Sequence, residues 1–315
     1  MKPQSSAVPL VSVVMIFLNE ERFLEEAVQS VRDQKLSDWE LILVDDGSTD
    51  RSRSIAKDLA ARDPKIRYVE HPDHENRGMS ASRNLGVAHA TAPYIAFLDA
   101  DDIWLPDKLA EQVEVLETMP DVAMVAGAKQ YWYSWDPGST KTDRIVLTGE
   151  IADRRLDPPE AALTLYPLGT ATGAGTDFLV RRSVFESVGG FEEHFRGRFE
   201  DQAFVVKIFL NHPVYFSSRI WLRYRQHDAS CSVQTNLTNT VRQRGEFLGW
   251  LLQSDDVRRL DDQRISAAIQ RRRRELSYLA LVARLVDRLP PRLLRNLREL
   301  VWRIRFSSTA HPAGQ

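Results

Sequence analysis

Four short apolar runs rich in β-branched residues recur through the first hundred residues, and the segments between them carry helical spacing. The runs are LVSVVMIFL (10–18), ELILVDD (40–46), IRYVEH (66–71) and YIAFLDA (94–100). Between the first two, EERFLEEAVQSVRDQ (20–34) places apolar residues at 23, 24, 27, 28 and 31, the period of a helix. Further helices are expected over 51–62, behind Asp50, and over 79–90. Alternation of this kind means parallel strands joined by right-handed crossovers. In such open sheets ligands sit at the carboxyl ends of the strands. Those ends carry Asn19 with Glu20, then Asp45-Asp46-Gly47-Ser48, then Asp99-Ala100-Asp101-Asp102. The three polar clusters should meet on one edge.

Beyond residue 100 a helix is expected from Pro106 to about 118. Strands follow at 122–127, 130–135 and 176–182, with an irregular stretch at 153–176 rich in Pro, Gly and Thr. Residues 200–211 read as a helix, 214–226 as extended, and everything after about 240 as helical. The chain of 315 residues, 43% hydrophobic and 27% charged, is long enough for one α/β domain plus an appendage. The division expected is a catalytic domain over 1–235, with halves at 8–127 and 128–235, and a basic helical extension over 236–315.

The net charge of −2 gives no argument for a nucleic-acid partner. The charge is uneven, however. From Arg264 to Arg305 there are twelve Arg, no Lys and three acids, Glu275, Asp287 and Glu299. With apolar residues at helical spacing, this segment reads as an amphipathic basic helix pair broken at Pro290-Pro291. It suits an anionic membrane surface, docking on the catalytic domain, or dimerisation. No run reaches the roughly 20 apolar residues of a membrane span. The segment 10–18 is read as a buried strand and not a leader. The single Cys231 excludes an internal disulfide and fits a reducing compartment. A cytoplasmic protein is expected, held peripherally at the inner face of the cell membrane if the basic tail binds it.

Five constellations carry chemistry. In LVDDGSTD (43–50), Gly47 permits a tight turn and Asp46 could accept hydrogen bonds from a nucleobase or ribose; a plain strand-to-helix turn is the alternative. In HPDHENRGMSASRNLG (71–86), Arg77 or Arg83 beside a helix N-terminus could hold a phosphate, or Arg83 could pair with a surface acid. In YIAFLDADDIW (94–104), three carboxylates stand at the mouth of a buried strand, where like charges oppose folding unless a cation or hydrogen bonds compensate. The D-x-D pair Asp99 and Asp101 offers hard oxygen ligands for Mg²⁺ or Mn²⁺; a solvated turn is the alternative. In FRGRFEDQAF (195–204), Asp201 reads either as a general base or as an acid complementing a helix dipole. In YRQHDASCS (224–232), His227 reads as a metal or phosphate contact, or as a solvated loop residue.

Taken in order, these elements resemble the inverting family 2 glycosyltransferases with the GT-A fold. The matching segments are VSVVMIFLNEERFLEEAVQSV, WELILVDDGSTD, GMSASRNLGVAHA, YIAFLDADDIWLPDKL, FLVRRSVFESVGGFEE, and FEDQAF followed by RYRQH, from residue 10 to about 230. The resemblance implies a mainly parallel sheet flanked by helices, and a nucleoside-diphosphate-sugar donor. It implies donor contacts at Asn19, Glu20, Asp46, Arg77, Arg83, Asp99, Ala100 and Asp101. It places Asp99 near the ribose, Asp101 with His227 on Mn²⁺ or Mg²⁺, and Asp201 as the base that deprotonates a hydroxyl of a saccharide or lipid-linked acceptor. Leu18 stands where the family often has a base-stacking Tyr, which leaves the choice of nucleotide open. The aromatics Trp132 and Trp135, with Thr176 and Glu200, are the expected acceptor contacts. Three other readings compete: a D-x-D phosphatase, a sugar nucleotidyltransferase, and a non-catalytic carbohydrate-binding relative. The D-x-D strand of such a phosphatase is usually the first of its domain, and FLNEERF lacks the Gly-rich loop of a nucleotidyltransferase.

Overall fold

The computed structural model describes residues 8–146, 148–171, 177–227 and 237–286. The alternation seen in the sequence is present as β1 (Val11–Phe17), α1 (Leu24–Arg32), β2 (Trp39–Asp45), α2 (Ser52–Arg62), β3 (Ile66–Glu70), α3 (Met79–His89) and β4 (Tyr94–Asp99). All seven residues of β1 are buried. The strand lies between two parallel neighbours, β2 and β4, and under helices on both faces. Val14 and Ile16 point to one core and Val13, Met15 and Phe17 to the other. Two-sided burial is why these strands read as continuous apolar runs and not as alternating ones. Helix α3 packs hard onto the sheet at Gly86, where a Cβ would lie 2.3 Å from Val14 Cγ1.

The chain continues with β5 (Ile103–Trp104), α4 (Lys108–Thr118), β6 (Met124–Trp132), β7 (Arg144–Val146), β8 (Arg154–Leu156), α5 (Glu160–Thr164), β9 (Leu179–Arg181), α6 (Arg182–Ser187), α7 (Glu200–Asn211) and β10 (Val214–Arg225). The sheet order is β3-β2-β1-β4-β9-β6-β10-β5, with β7 on β6 and β8 on β10. The long pairings, β1 with β2 and β4, β2 with β3, and β6 with β10, are parallel. The short ones, through β9, β5, β7 and β8, are antiparallel. The sheet is therefore mixed but mostly parallel.

Two expectations need correction. The segments 122–127 and 130–135 contribute to one strand, β6, which pairs with the long β10 on both sides of a register irregularity at Gly127, and residues 133–135 lie beyond its end. The stretch 153–176 is not wholly irregular, since it holds β8 and α5. The expected division between residues 127 and 128 falls inside β6, so both halves share one sheet.

The C-terminal part is α8 (Leu237–Gln253), α9 (Asp255–Leu260) and α10 (Gln263–Val286). Phe247, Leu248 and Leu251 of α8, with Ile265, Ile269, Leu276 and Leu279 of α10, join the same core as β4 and α7. Arg271, Arg273 and Arg274 lie exposed on the outer side. This part of the basic segment is thus docked on the domain. Its remainder, with Pro290-Pro291, lies outside the described residues. Among the described residues, no helix is long and apolar enough to cross a membrane.

Candidate active site

The ends of β1, β2 and β4 converge as expected. Asn19, at φ 58, turns the chain after β1, and its side-chain oxygen accepts from the amides of Thr49 and Asp50 at 2.7 and 3.2 Å. It therefore joins the β1 end to the β2 turn. In that turn Gly47 has φ 88, and a Cβ there would approach the amide nitrogen of Asn76 to 2.9 Å. Asp46 is buried. Its Oδ1 accepts from the amides of Arg77 and Gly78 at 2.8 and 3.0 Å and from the Ser82 hydroxyl at 3.0 Å, and a ring nitrogen of His71 lies 2.9 Å from that hydroxyl. Asp46 thus anchors the start of α3, a negative charge at a helix N-terminus. The Arg77 side chain is exposed, 3.8 Å from Glu75.

Arg83 is the central finding. It is 2% exposed, and its two terminal nitrogens reach Glu200 at 2.5 Å and Asp99 at 2.7 Å. It is buried, with one buried partner, Glu200, and one partly exposed, Asp99. It bridges the end of β4 to the start of α7, and Glu200 lies 117 residues further along the chain than Arg83. Burial pushes the Glu200 carboxyl up to about 7 despite the Arg83 charge, and its second oxygen is buried with no hydrogen-bond partner. Asp201 follows at the head of α7. Burial raises it too, against the pull of Arg83, and its two oxygens take the amide and side-chain nitrogens of Gln202 at 2.8 and 3.4 Å.

At the acidic mouth, Asp101 meets a ring nitrogen of His227 at 3.0 Å. Asp102 is buried, accepts from the Arg225 amide at 2.7 Å, and is pushed well up by burial and by its two neighbouring acids. Glu20 joins this group: burial first, then the charge of Asp101, raises it to about 7. Ala100 is buried beneath. The crowding read from the sequence is therefore real. The donors are carboxylate oxygens and an imidazole, the set that suits Mn²⁺ or Mg²⁺.

Among the described residues, the three side chains that come closest to a ready-made cation cage are elsewhere, at Asp45, Glu70 and His74. There Glu70 already takes two hydrogen bonds from Arg53, at 3.0 and 2.9 Å, with Lys57 at 3.9 Å. Arg53 and Tyr68 together hold its carboxyl down at about 2. These cations fill the role a metal would have.

Trp132 and Trp135, the expected acceptor contacts, are each partly exposed and pack on one shared cation. The buried Arg225 guanidinium lies 4.5 Å from the Trp132 ring, 5.2 Å from Trp135 and 4.4 Å from Phe23, and Trp135 also packs edge-on to His227 at 6.3 Å. Arg225 in turn donates to the Asp101 carbonyl at 2.6 Å and to Glu26 at 2.6 Å. The aromatics thus back the D-x-D turn. Thr176 lies outside the described residues. Sequence reasoning passed over Arg225 and Ser82; the RYR segment beside His227 was the one signal that could have found Arg225.

An α/β sheet with its acidic ligands gathered at the strand ends, opposite a carboxylate-headed helix, is the architecture of GT-A glycosyltransferases. The chain belongs to glycosyl transferase family 2, whose model matches residues 12–189. EpsJ of Bacillus subtilis, named an uncharacterized glycosyltransferase, is 46% identical over 95 residues, 30% of this chain and 27% of that protein. TuaG of the same species, provisionally named for teichuronic acid biosynthesis, is 42% identical over 110 residues, 34% of this chain and 42% of that protein. These matches span less than half of the relatives' own length. Among solved structures, S. aureus TarS 1–349 in complex with UDP-GlcNAc superposes with a TM-score of 0.63 at 13% identity, covering 94% of this chain and 81% of that 1–349 chain. The mannosyltransferase PcManGT of Pyrobaculum calidifontis, in complex with GDP-Man and Mn²⁺, gives 0.56 at 17%, covering 94% and 81%.

Proposed function

We propose that this chain is an inverting glycosyltransferase that moves a sugar from a nucleoside-diphosphate sugar to a hydroxyl of a saccharide or lipid-linked acceptor. The observation that carries the reading is the Asp99–Arg83–Glu200 bridge, which ties the acidic end of β4 to the head of α7, where Asp201 follows Glu200. Asp101 and His227 would hold a divalent cation, with Asp99 and Glu20 beside them. That cation supplies charge neutralisation for a departing diphosphate. Asp201 takes the proton of the acceptor hydroxyl. The hydroxyl oxygen bonds to the anomeric carbon from one face as the bond to the diphosphate oxygen breaks on the other, so one displacement inverts the configuration. The raised affinity of Asp201 for a proton suits a base that must accept one. The neighbours' complexes with UDP-GlcNAc and GDP-Man support a nucleotide-sugar donor. TuaG's name supports an envelope polysaccharide as the acceptor class. The exposed Arg271, Arg273 and Arg274 support a peripheral contact with anionic lipid at the inner face of the membrane.

The test is calorimetric titration of UDP, GDP and dTDP into wild type and Asp101→Ala, with and without Mn²⁺. One nucleoside diphosphate should bind only with the metal, and the variant should lose it. No binding to any of the three would refute the reading and favour a phosphatase or a non-catalytic relative. Proton NMR of the product should then show the anomeric configuration inverted.

A further inference from the structure

The residue before α7, Phe199, has φ 73 and ψ 6. Glycine and asparagine occupy that left-handed region readily; a bulky ring there is an outlier. The same loop has a glycine two residues earlier, Gly197 at φ 104, so the loop is not without a residue suited to such a turn. A strained residue at a helix start needs something to hold it and something that it serves.

Rings hold it. Phe199 is 5% exposed and lies near-parallel to Tyr166, at 6.0 Å and 27°, and to Phe247, at 5.6 Å and 25°. Phe247 also packs on Trp250 at 5.9 Å, and Trp250 on Phe195 at 5.4 Å. The column thus joins the turn after α5, the loop before α7, and helix α8. The turn is pinned from the C-terminal helices as well: Arg244 donates to the Pro167 carbonyl at 3.1 Å, and Arg272 to those of Leu168 and Gly169 at 2.8 and 2.9 Å.

What the strain serves is the direction of the next two residues. The Phe199 carbonyl accepts from the Ala203 amide at 2.9 Å, which locks it to the first turn of α7. Glu200 has a second anchor in Arg83. Asp201 takes its hydrogen bonds from Gln202, its own neighbour in the chain, so its aim follows the backbone. We propose that Phe199 is a positioning residue for Asp201, and that Phe247 makes helix α8 part of the active-site frame. This rests on the reading of Asp201 as the base. Without the ring column, the Phe199 peptide relaxes to the extended conformation usual before a helix, and the Asp201 carboxylate turns with it.

The experiment compares full-length wild type, Phe199→Leu, Phe247→Leu, the double variant and Phe199→Tyr. The readouts are nucleoside diphosphate release from the donor that wild type uses, its pH profile, and titration of that nucleoside diphosphate with Mn²⁺. Each Leu variant should lose at least tenfold in kcat and shift the acidic limb of the pH profile, with diphosphate affinity within twofold of wild type. The double variant should be no worse than the worse single one, and Phe199→Tyr should recover wild-type kcat within twofold. If Phe199→Leu does not fold, Phe247→Leu, made in a separate helix, carries the same test. A kcat within twofold of wild type in the folded Leu variants, or a parallel loss of diphosphate affinity, overturns the inference and leaves the transferase reading standing. A wild type inert on every donor overturns both.

Discussion

Replacing Glu200 by Gln should make the protein more stable above neutral pH. The Glu200 carboxyl is buried between Arg83 and Asp201 and is raised from 4.5 to about 7, chiefly by burial. The folded state therefore binds this proton more tightly than the unfolded state does. An acid of this kind contributes stability that is complete below about 4.5 and is lost as the pH rises to about 7. A shift of about 2.5 units at 1.36 kcal/mol each amounts to about 3 kcal/mol, to order of magnitude. Gln mimics the protonated acid: its oxygen still accepts from Arg83, and its amide occupies the site of the unpartnered oxygen. The assay is urea unfolding of both proteins at half-unit steps from pH 4.5 to 8.5. Taking the difference cancels the groups that titrate alike in both. The gap should widen in favour of Gln by about 3 kcal/mol between pH 4.5 and 7 and then level off. A gap that stays flat or narrows would show that Glu200 is ionised throughout, and that Arg83 fully compensates its burial.

Three further outcomes are expected. Asp201→Asn should lower nucleoside diphosphate release by about 10²–10⁴-fold, the worth of a general base, while leaving calorimetric diphosphate binding unchanged. Gly86→Ala should cost about 1–3 kcal/mol in urea unfolding, because the added methyl must displace Val14 or move α3; KM should not change. Arg225→Gln removes the hydrogen bonds to the Asp101 carbonyl and Glu26 and should weaken Mn²⁺ binding in the presence of the diphosphate by about tenfold, the usual cost of losing a residue that orients a ligand.

The first half of the fold was legible because its strands are buried on both faces and end abruptly in acids. Val13 and Met15 on one side, and Val14 and Ile16 on the other, leave Ser12 as the one polar residue inside β1. The strand order was less legible. β9 enters between β4 and β6 from more than 45 residues beyond β6, and nothing local in Leu179–Arg181 announces an antiparallel neighbour on each side. The same limit applied to charges. Arg83 reads as a free cation because its second partner, Glu200, is 117 residues away. Lys108 of α4 is fully buried, donates to Gln112 and to the Asp177 carbonyl, and is lowered to about 7 by burial. Trp132 and Trp135, read as sugar platforms, also pack on Arg225, which comes from the far end of β10. Residue type was a sound guide to chemistry here, whereas the partner of each charge was set by tertiary contacts that the local pattern does not encode.

The acids at the end of β4 show how the fold answers its own repulsion. Asp99 is met by Arg83, whose other branch holds Glu200. Asp102 is withdrawn into the protein and held by the Arg225 amide, and burial raises its affinity for a proton. Asp101 has His227, and Glu20 stays protonated up to about 7. Each device lowers the repulsion, and among the described residues the ion-pair partner of Asp101 is an imidazole and not a Lys or Arg. Folding therefore tolerates the cluster without neutralising it, and the remaining field is directed at the solvent edge where the three strand ends meet. A divalent cation bound there would supply the missing charge, and it would favour loss of the Glu20 proton as it did so. On this account the D-x-D turn is buttressed by Arg225 and its three aromatic neighbours because a site held slightly under-compensated must also be held rigid. If the turn relaxed, the acids would move apart and lose the potential that draws the metal.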